Sequence, residues 1–192
     1  MKTATFAIAL LLLLPGSPVH GQQARNEISI GLGGATFPDI AETAEDVGSI
    51  IGTIGLLRHT SKRTTPAVFA SYGRCVNEHL KLGISAGYQK FKNEYFIADD
   101  PWFSTEVSYV NFMFRGDYTY FDREWVDLYS GAGLGMAVVT EEEVEQKNTD
   151  TEYWFSFHVN ALGARFGKRF AGFAELGFGF NGIVSAGLTA AF

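Results

Sequence analysis

The sequence is poor in cysteine, proline and charge. It contains one cysteine, Cys75, and five prolines among 192 residues. A lone cysteine excludes an intramolecular disulfide framework and a zinc site built from several cysteines. Charged residues make up 19% of the chain, whereas about 25% is typical of soluble globular domains. The net charge of −6 argues against a nucleic-acid partner, because the phosphate backbone attracts clustered cations.

The sequence also lacks an apolar run long enough for a transmembrane helix, which needs roughly 20 residues. One shorter apolar run, residues 4–14, follows a lysine and precedes a Pro-Gly pair. Val19 and Gly21 then supply the small or uncharged residues of a cleavage site, which completes the layout of a secretory signal peptide. We therefore expect a signal peptide at 1–21, a single mature domain at 22–192, and any residence in a membrane to be through β-strands.

Glycine and aromatic residues are abundant, with 22 Gly, 17 Phe and 8 Tyr. Along the mature chain, apolar residues recur at every second position, the period of a strand with two unlike faces. Eight segments show it: 27–36, 66–75, 80–88, 110–120, 126–138, 153–166, 170–180 and 184–192. Near Ala161 and Leu162 the apolar residues change from odd-numbered to even-numbered positions, which predicts a β-bulge there. Asn181-Gly182 is a strong hairpin signal.

Short and long connectors alternate along the chain. Tight turns at 76–78, 122–124 and 168–169 separate the long connectors 37–65, 92–104 and 141–151. This pattern is typical of outer-membrane barrels, which have short turns at one rim and long loops at the other. It predicts an all-β fold, an eight-stranded antiparallel up-and-down transmembrane β-barrel.

The first long connector predicts a short helix, because acids come first, apolar residues follow and bases come last, in keeping with the helix macrodipole. Two interpretations stay open for it: a helix that caps the barrel mouth, or an exposed element that contacts a partner or lipid. The residues in question are Asp39, Glu42, Glu45, Asp46, Ile50, Ile51, Ile54, Leu56, Leu57, Arg58, Lys62 and Arg63.

The face opposite the apolar one combines glycine with charged residues, which suits a narrow lumen better than the surface of a soluble barrel. Aromatic residues near the short turns, Tyr118, Tyr120, Phe121 and Trp125, suit an interfacial belt. We therefore expect the apolar face to contact lipid. The lumen charges are Glu27, Lys81, Arg115, Asp117, Asp127, Arg165 and Glu175. Because buried charges need partners, we expect a structural ion-pair network rather than a permeation path, with Glu175 paired to Arg165.

Candidate chemistry is sparse. None of the motifs of metalloproteases, serine hydrolases, P-loop proteins or EF-hands occurs. Ser156 and His158 share the lumen face, where we expect a hydrogen-bonded histidine rather than a catalytic pair. The acidic run at 141–152 is typical of a solvated loop, with a divalent-cation site as the alternative. We therefore predict no catalytic, cofactor-binding or metal-binding residues and no cofactor.

The sequence resembles the small eight-stranded outer-membrane β-barrel proteins, the OmpA/OmpX-like family. The resemblance covers Glu27 to Phe192 and rests on the signal peptide, the strand rhythm, the Gly-rich segment 170–180 and the terminal Phe192. It implies residence in the outer membrane, contact with outer-membrane lipid, and recognition of Phe192 by the barrel-assembly machinery.

The function expected from the residues and the resemblance is a non-enzymatic structural or surface-interaction barrel, with outward loops and a polar, filled lumen. The alternative is a narrow channel for small solutes or apolar molecules, and a lipid-modifying enzyme comes third. Neither the residues nor the resemblance indicates a particular extracellular partner.

Overall fold

The structure, a computed structural model, describes residues 26–41, 43, 57–97, 100–143 and 148–192. The expected signal peptide lies outside the described residues. The strands are β1 (Asn26–Gly34), β2 (Leu57–Thr64), β3 (Ala67–Cys75), β4 (Leu80–Ile97), β5 (Asp100–Asp122), β6 (Val126–Glu143), β7 (Asn148–Gly167), β8 (Phe170–Gly179) and β9 (Val184–Ala191).

The strands close into a barrel in which every pairing is antiparallel. β2 and β3 share one position in the ring, because both pair with β4. Pro66 lies between them, and its missing N–H interrupts the ladder. β1 pairs with β3 and with β9, and β4 pairs with β5, so the ring is complete. The predicted eight-stranded up-and-down barrel is confirmed.

Alternate side chains point to opposite faces of the wall, and the apolar ones point outward. Phe114 on β5, for example, is 70% exposed, whereas Asp117 on the same strand is 4% exposed. Apolar side chains are exposed on other strands of the barrel as well, for example Ile30, Ile84 and Leu188. The outer surface of the barrel is therefore an apolar belt, and its interior contains charged side chains.

The β-bulge expected in β7 is present. Its pairing with β8 shifts register between Asn160 and Leu162, and Ala161 and Leu162 are both exposed. Because of the extra residue, Arg165 points into the lumen after the bulge, as the change in the alternation of apolar residues predicted.

The strands differ in length, which makes the barrel lopsided. β4 to β7 contain 18, 23, 18 and 20 residues, whereas β1, β8 and β9 contain 9, 10 and 8. The long strands and β2 continue beyond the short ones on the side of the long connectors. We call this extension, formed by β2 and the outer parts of β4, β5, β6 and β7, the protruding sheet. Much of the expected connectors 37–65, 92–104 and 141–151 is therefore strand.

The first connector begins with a helical segment at residues 37–41. Asp39 Oδ2 accepts a 2.7 Å hydrogen bond from the Thr36 amide, and Thr36 Oγ1 accepts one of 3.2 Å from the Asp39 amide, a reciprocal cap. Of the residues of the expected helix, Leu57 lies in β2, and the following lie outside the described residues: Glu42, Glu45, Asp46, Ile50, Ile51, Ile54 and Leu56. The prediction that Arg58, Lys62 and Arg63 end a helix is wrong, because they lie in β2. No helix in the described part of the chain has the length and apolar character to cross a membrane.

Candidate functional site

The half of the interior nearest the short turns contains a continuous series of ion pairs. Arg165 on β7 donates from Nε to Asp127 Oδ2 at 2.9 Å and contacts Glu27 on β1 through Nη1. Lys81 Nζ on β4 lies 2.7 Å from Glu27 Oε1 and 3.5 Å from Asp117 Oδ2. Glu27 therefore joins a cation of β4 to a cation of β7 across the barrel.

The series continues from Asp117 to β8. Arg115 Nε lies 2.8 Å from Asp117 Oδ1, and its Nη2 contacts Glu175 Oε1. The Tyr129 hydroxyl donates a 2.8 Å hydrogen bond to the same oxygen of Glu175. The structure thus brings together all seven expected lumen charges in one series of alternating sign, with four carboxylates against three cations.

The expected pair between Glu175 and Arg165 is wrong. Glu175 binds Arg115, whereas Arg165 binds Asp127 and Glu27. Across β7 and β8, Arg165 lies opposite Phe173. Long side chains in a narrow lumen reach across it to other strands, so membership of neighbouring strands does not determine the partner.

Glycines on the neighbouring strands leave the space that these side chains occupy. A Cβ on Gly131 would lie 2.1 Å from Asp117 Oδ1. A Cβ on Gly163 would lie 2.5 Å from Tyr129 Cζ, the ring carbon that bears the hydroxyl. Such distances are far inside van der Waals contact, so both positions need glycine for the charged series to fit.

A cavity of about 20 Å³ lies among the charged side chains, lined in part by Glu27, Lys81, Arg115, Asp117, Arg165 and Glu175. This volume corresponds to about one water molecule. Pockets that bind small organic molecules measure roughly 300–1,000 Å³. This cavity is therefore too small for a small organic molecule.

The half of the interior nearest the long connectors contains a buried apolar cluster beside polar side chains such as Gln89 and Asn111, and the sequence reasoning missed this cluster. Its buried cluster comprises Phe91, Val107, Tyr109, Met113, Ala137, Val139 and Phe180, with Phe37 and Trp154 packed against it. The interior is therefore polar and charged near the short turns, and mixed polar and apolar near the long connectors. The alternation was obscured here because apolar side chains occupy both faces of the strands.

Ser156 and His158 lie inside the barrel, as expected, with 0% and 2% exposure. Among the described residues, neither the hydroxyl of Ser156 nor a ring nitrogen of His158 has a hydrogen-bond partner. The expected hydrogen bond of His158 is therefore not formed with a described residue, and the two side chains do not form the hydrogen bond of a nucleophile and its base. In the described part of the chain, no three His, Cys, Asp or Glu residues form a group that could hold a metal ion.

The start of the first connector covers the short side of the barrel mouth, where β1, β8 and β9 end. Thr36 Oγ1 donates a 2.7 Å hydrogen bond to Gln89 Oε1 on β4, and Gln89 Nε2 donates one of 3.2 Å to the Thr65 carbonyl. The Phe37 ring packs against Phe157, with ring centroids 5.2 Å apart. No sequence pattern pointed to Gln89, whose amide joins three segments that are distant in the chain.

Both ends of the outer wall carry polar or aromatic groups beside the apolar belt. Tyr118, Tyr120 and Trp125 are exposed near the short turns. Beyond the belt on the opposite side, Lys90 Nζ lies 2.7 Å from Glu106 Oε2. This hydrogen bond lowers the pKa of the Glu106 carboxyl and raises the pKa of the Lys90 ammonium.

The last residue takes part in closing the barrel. The Phe192 amide donates to the Asn26 carbonyl and the Asn26 amide donates to the Phe192 carbonyl, both at 2.8 Å. The Phe192 side chain itself is exposed on the outer wall.

No family model matches the chain, and no curated protein matches it. Two solved structures are similar in fold, both of Ail, the attachment invasion locus protein of Yersinia pestis, one of them in complex with the heparin analogue sucrose octasulfate. Each shares 13% sequence identity with this chain, and each alignment covers 88% of this chain and 97% of Ail. The TM-scores are 0.43 for the complex and 0.42 for Ail alone.

Proposed function

We propose that the chain is a non-enzymatic outer-membrane β-barrel with a structural or surface-interaction role. The observation that carries this proposal is the inverted distribution of its side chains, apolar on the outer wall and ionised inside. Water solvates the outside of a soluble barrel, and a continuous apolar outer surface would be unfavourable there. A lipid bilayer makes the same surface favourable, and closure of the barrel satisfies the backbone groups within it.

Two further observations support a role other than conduction. The cavity among the lumen charges measures about 20 Å³, and a cluster of buried apolar side chains packs in the other half of the lumen. The protruding sheet extends the wall beyond the apolar belt on the side of the long connectors. It would offer neighbouring molecules a rigid surface at the cell exterior, because the short turns of such barrels lie on the periplasmic side.

The proposal is tested by the location of the protein and by charge substitutions on its outer wall. We expect the mature chain in the outer-membrane fraction, with a gel mobility that changes on heating. Phe114→Arg places a cation in the apolar belt, where the cost in lipid is about 2–4 kcal/mol near the membrane centre. It should reduce the folded, membrane-inserted fraction strongly.

Thr151→Arg is the matched control, because Thr151 is exposed beyond the belt on the protruding sheet. It should leave insertion unchanged. A soluble periplasmic mature chain, or equal behaviour of the two variants, would refute the membrane location. Conductance across planar bilayers distinguishes the roles: we expect none above background, and discrete channel openings would favour the channel instead.

A further inference from the structure

The outer rim of the barrel is low where β8, β9 and β1 end. We call these strand ends, together with the adjoining residues 35–41 and 180–183, the low rim. β9 has 8 residues and β1 has 9. Counted from the short turns, with a rise of ~3.3 Å per residue and a tilt of about 40°, β9 spans about 20 Å of the barrel axis and β1 about 23 Å. The apolar band of such barrels is about 25 Å tall, so the low rim ends inside the band.

The outward side chains of the low rim are apolar up to its end. Leu32 near the end of β1 is exposed, and Ile183 and Ile40 beyond the strands are 40% and 45% exposed. On β7, by contrast, the outward side chains change from apolar to polar between Tyr153 and Thr151, both of which are exposed. The low rim therefore continues the apolar belt, whereas the protruding sheet leaves it.

Phe37 extends this apolar surface over the low rim. Its ring centroid lies 5.2 Å from that of Phe157 and 6.2 Å from that of Phe178, two residues on the outer face of the wall. It also lies 6.0 Å from the ring centroid of Phe180, which is buried in the apolar cluster of the interior. Gly179 allows the chain to turn inward between Phe178 and Phe180, because its φ of 135° is one that side chains with a Cβ rarely adopt. Apolar contacts thus lead from the outer wall to the buried cluster.

Asp39 is the one ionised residue between positions 35 and 41, and its carboxylate has three donors. Oδ2 accepts hydrogen bonds from the Thr36 amide at 2.7 Å, from the Thr36 hydroxyl at 2.9 Å and from Gln89 Nε2 at 3.3 Å. Such hydrogen bonds lower the cost of bringing a carboxylate close to an apolar environment. The segment is therefore compatible with contact with lipid.

We propose that the low rim lies within the outer leaflet and that lipid acyl chains pack over it against Phe37 and Ile40. Continuity is the reason for choosing acyl chains, because the same chains cover the belt and the low rim ends at their depth. The start of the first connector is then a lipid-binding element as well as a cap of the mouth. This inference rests on the proposed function, because it requires a bilayer around the belt.

Fluorescence quenching in vesicles tests the position of the low rim. In a Cys75→Ala background, the barrel carries one fluorophore-labelled cysteine, Ile40→Cys or Ile183→Cys, in phosphatidylcholine vesicles. Nitroxide groups on the acyl chains should quench both fluorophores, whereas aqueous iodide should quench them several-fold less than a fluorophore at Thr151→Cys. Leu134→Cys is the matched control for full contact with lipid, because Leu134 is exposed within the belt.

The gel mobility before and after heating shows whether each labelled variant is folded. Iodide quenching at either rim position that is as strong as at Thr151→Cys overturns the proposal, because the rim then lies in water. Protection from both quenchers overturns it as well, since another part of the chain then covers the rim.

The thickness of the bilayer gives a second test. In vesicles of lipids with shorter acyl chains, the border of the hydrocarbon lies closer to the midplane, so the low rim should emerge into water. Iodide quenching at Ile183→Cys should then rise several-fold, whereas quenching at Leu134→Cys should not change. An unchanged iodide response at Ile183→Cys would contradict a rim held at this depth.

The Leu134→Cys control also separates this inference from the proposed function. Lipid quenching at Leu134→Cys together with water contact at the low rim refutes the inference alone. A Leu134→Cys fluorophore that iodide quenches and the lipid nitroxide does not refutes the proposed function, and the inference with it.

Discussion

The stability of this barrel is expected to be sensitive to the loss of single ionised side chains in its lumen. The Glu175 side chain is 2% exposed and has Arg115 and Tyr129 as its partners at one oxygen. Arg115 has Asp117 as a second carboxylate. A charge in such a site is stabilised by its partners, and removing one partner leaves the other without full compensation.

We expect Glu175→Ala to lower the urea midpoint of the folded barrel, because losing one partner of a buried pair typically costs ~3–5 kcal/mol. A double-mutant cycle with Arg115→Ala should show strong coupling. The matched cycle with Arg165→Ala should show weak coupling, because Arg165 binds Glu27 and Asp127 instead. Losses that add in the first cycle, or equal coupling in both, would contradict the observed pairing.

At the scale of a strand, the bulge in β7 determines which side chains reach the lumen. The Ala161 carbonyl also accepts a 2.6 Å hydrogen bond from Ser130 Oγ on β6. Without the extra residue, the part of β7 after the bulge would reverse its facing. Arg165 would then point to the outer wall and Phe166 into the lumen.

Deletion of Ala161 should therefore prevent most of the chain from reaching the heat-modifiable form. Ala161→Ser is the control, because it keeps the strand length and replaces one small exposed side chain by another. Densitometry of unheated gels measures the folded fraction for both. Normal folding of the deletion variant would show that β7 tolerates either facing.

The strands that the sequence predicted have different surroundings from the strand that it did not predict. Alternation revealed the segments between the apolar belt and the charged interior, including the bulge, since the two faces there meet unlike environments. β2 was not predicted because the sequence from Arg58 to Arg63 contains no alternating apolar residues. The sequence predicted that Glu175 and Arg165 point into the lumen. It did not predict their partners, because these depend on how far each side chain extends across the lumen, and the alternation of apolar residues carries no information on that.

The whole molecule is a closed ring, and its last residue lies at the closure. Phe192 is 61% exposed, and its backbone hydrogen bonds with Asn26 do not require its side chain. The Phe192 phenyl group would then stabilise the barrel no more than any other outward aromatic side chain, whereas recognition during assembly would depend on its position. We retain the hypothesis that the barrel-assembly machinery recognises this aromatic side chain.

Phe192→Ala should lower the amount of inserted barrel more than Phe170→Ala does, while the two changes lower the stability of the inserted protein by similar amounts, because each removes an outward ring from contact with lipid. Phe170→Ala is the control, since Phe170 is also outward and is 76% exposed. Quantitative blots of outer membranes give the inserted amount, and urea titration gives the stability. Equal amounts for both variants would remove the recognition role of Phe192.

The position of Glu27 on the first strand links neutralisation of charge to the last event of assembly. Glu27 and Lys81 lie on the same side of the β1–β9 seam, because β3 pairs with both β1 and β4, whereas Arg165 on β7 lies on the other side. Before β1 joins β9, Arg165 therefore lacks one of its two carboxylates in an environment of low polarity, where this is unfavourable. Joining the first strand to the last removes that penalty. The barrel thereby gains an energetic bias towards the closed ring over any open intermediate, independent of the backbone hydrogen bonds formed at the seam.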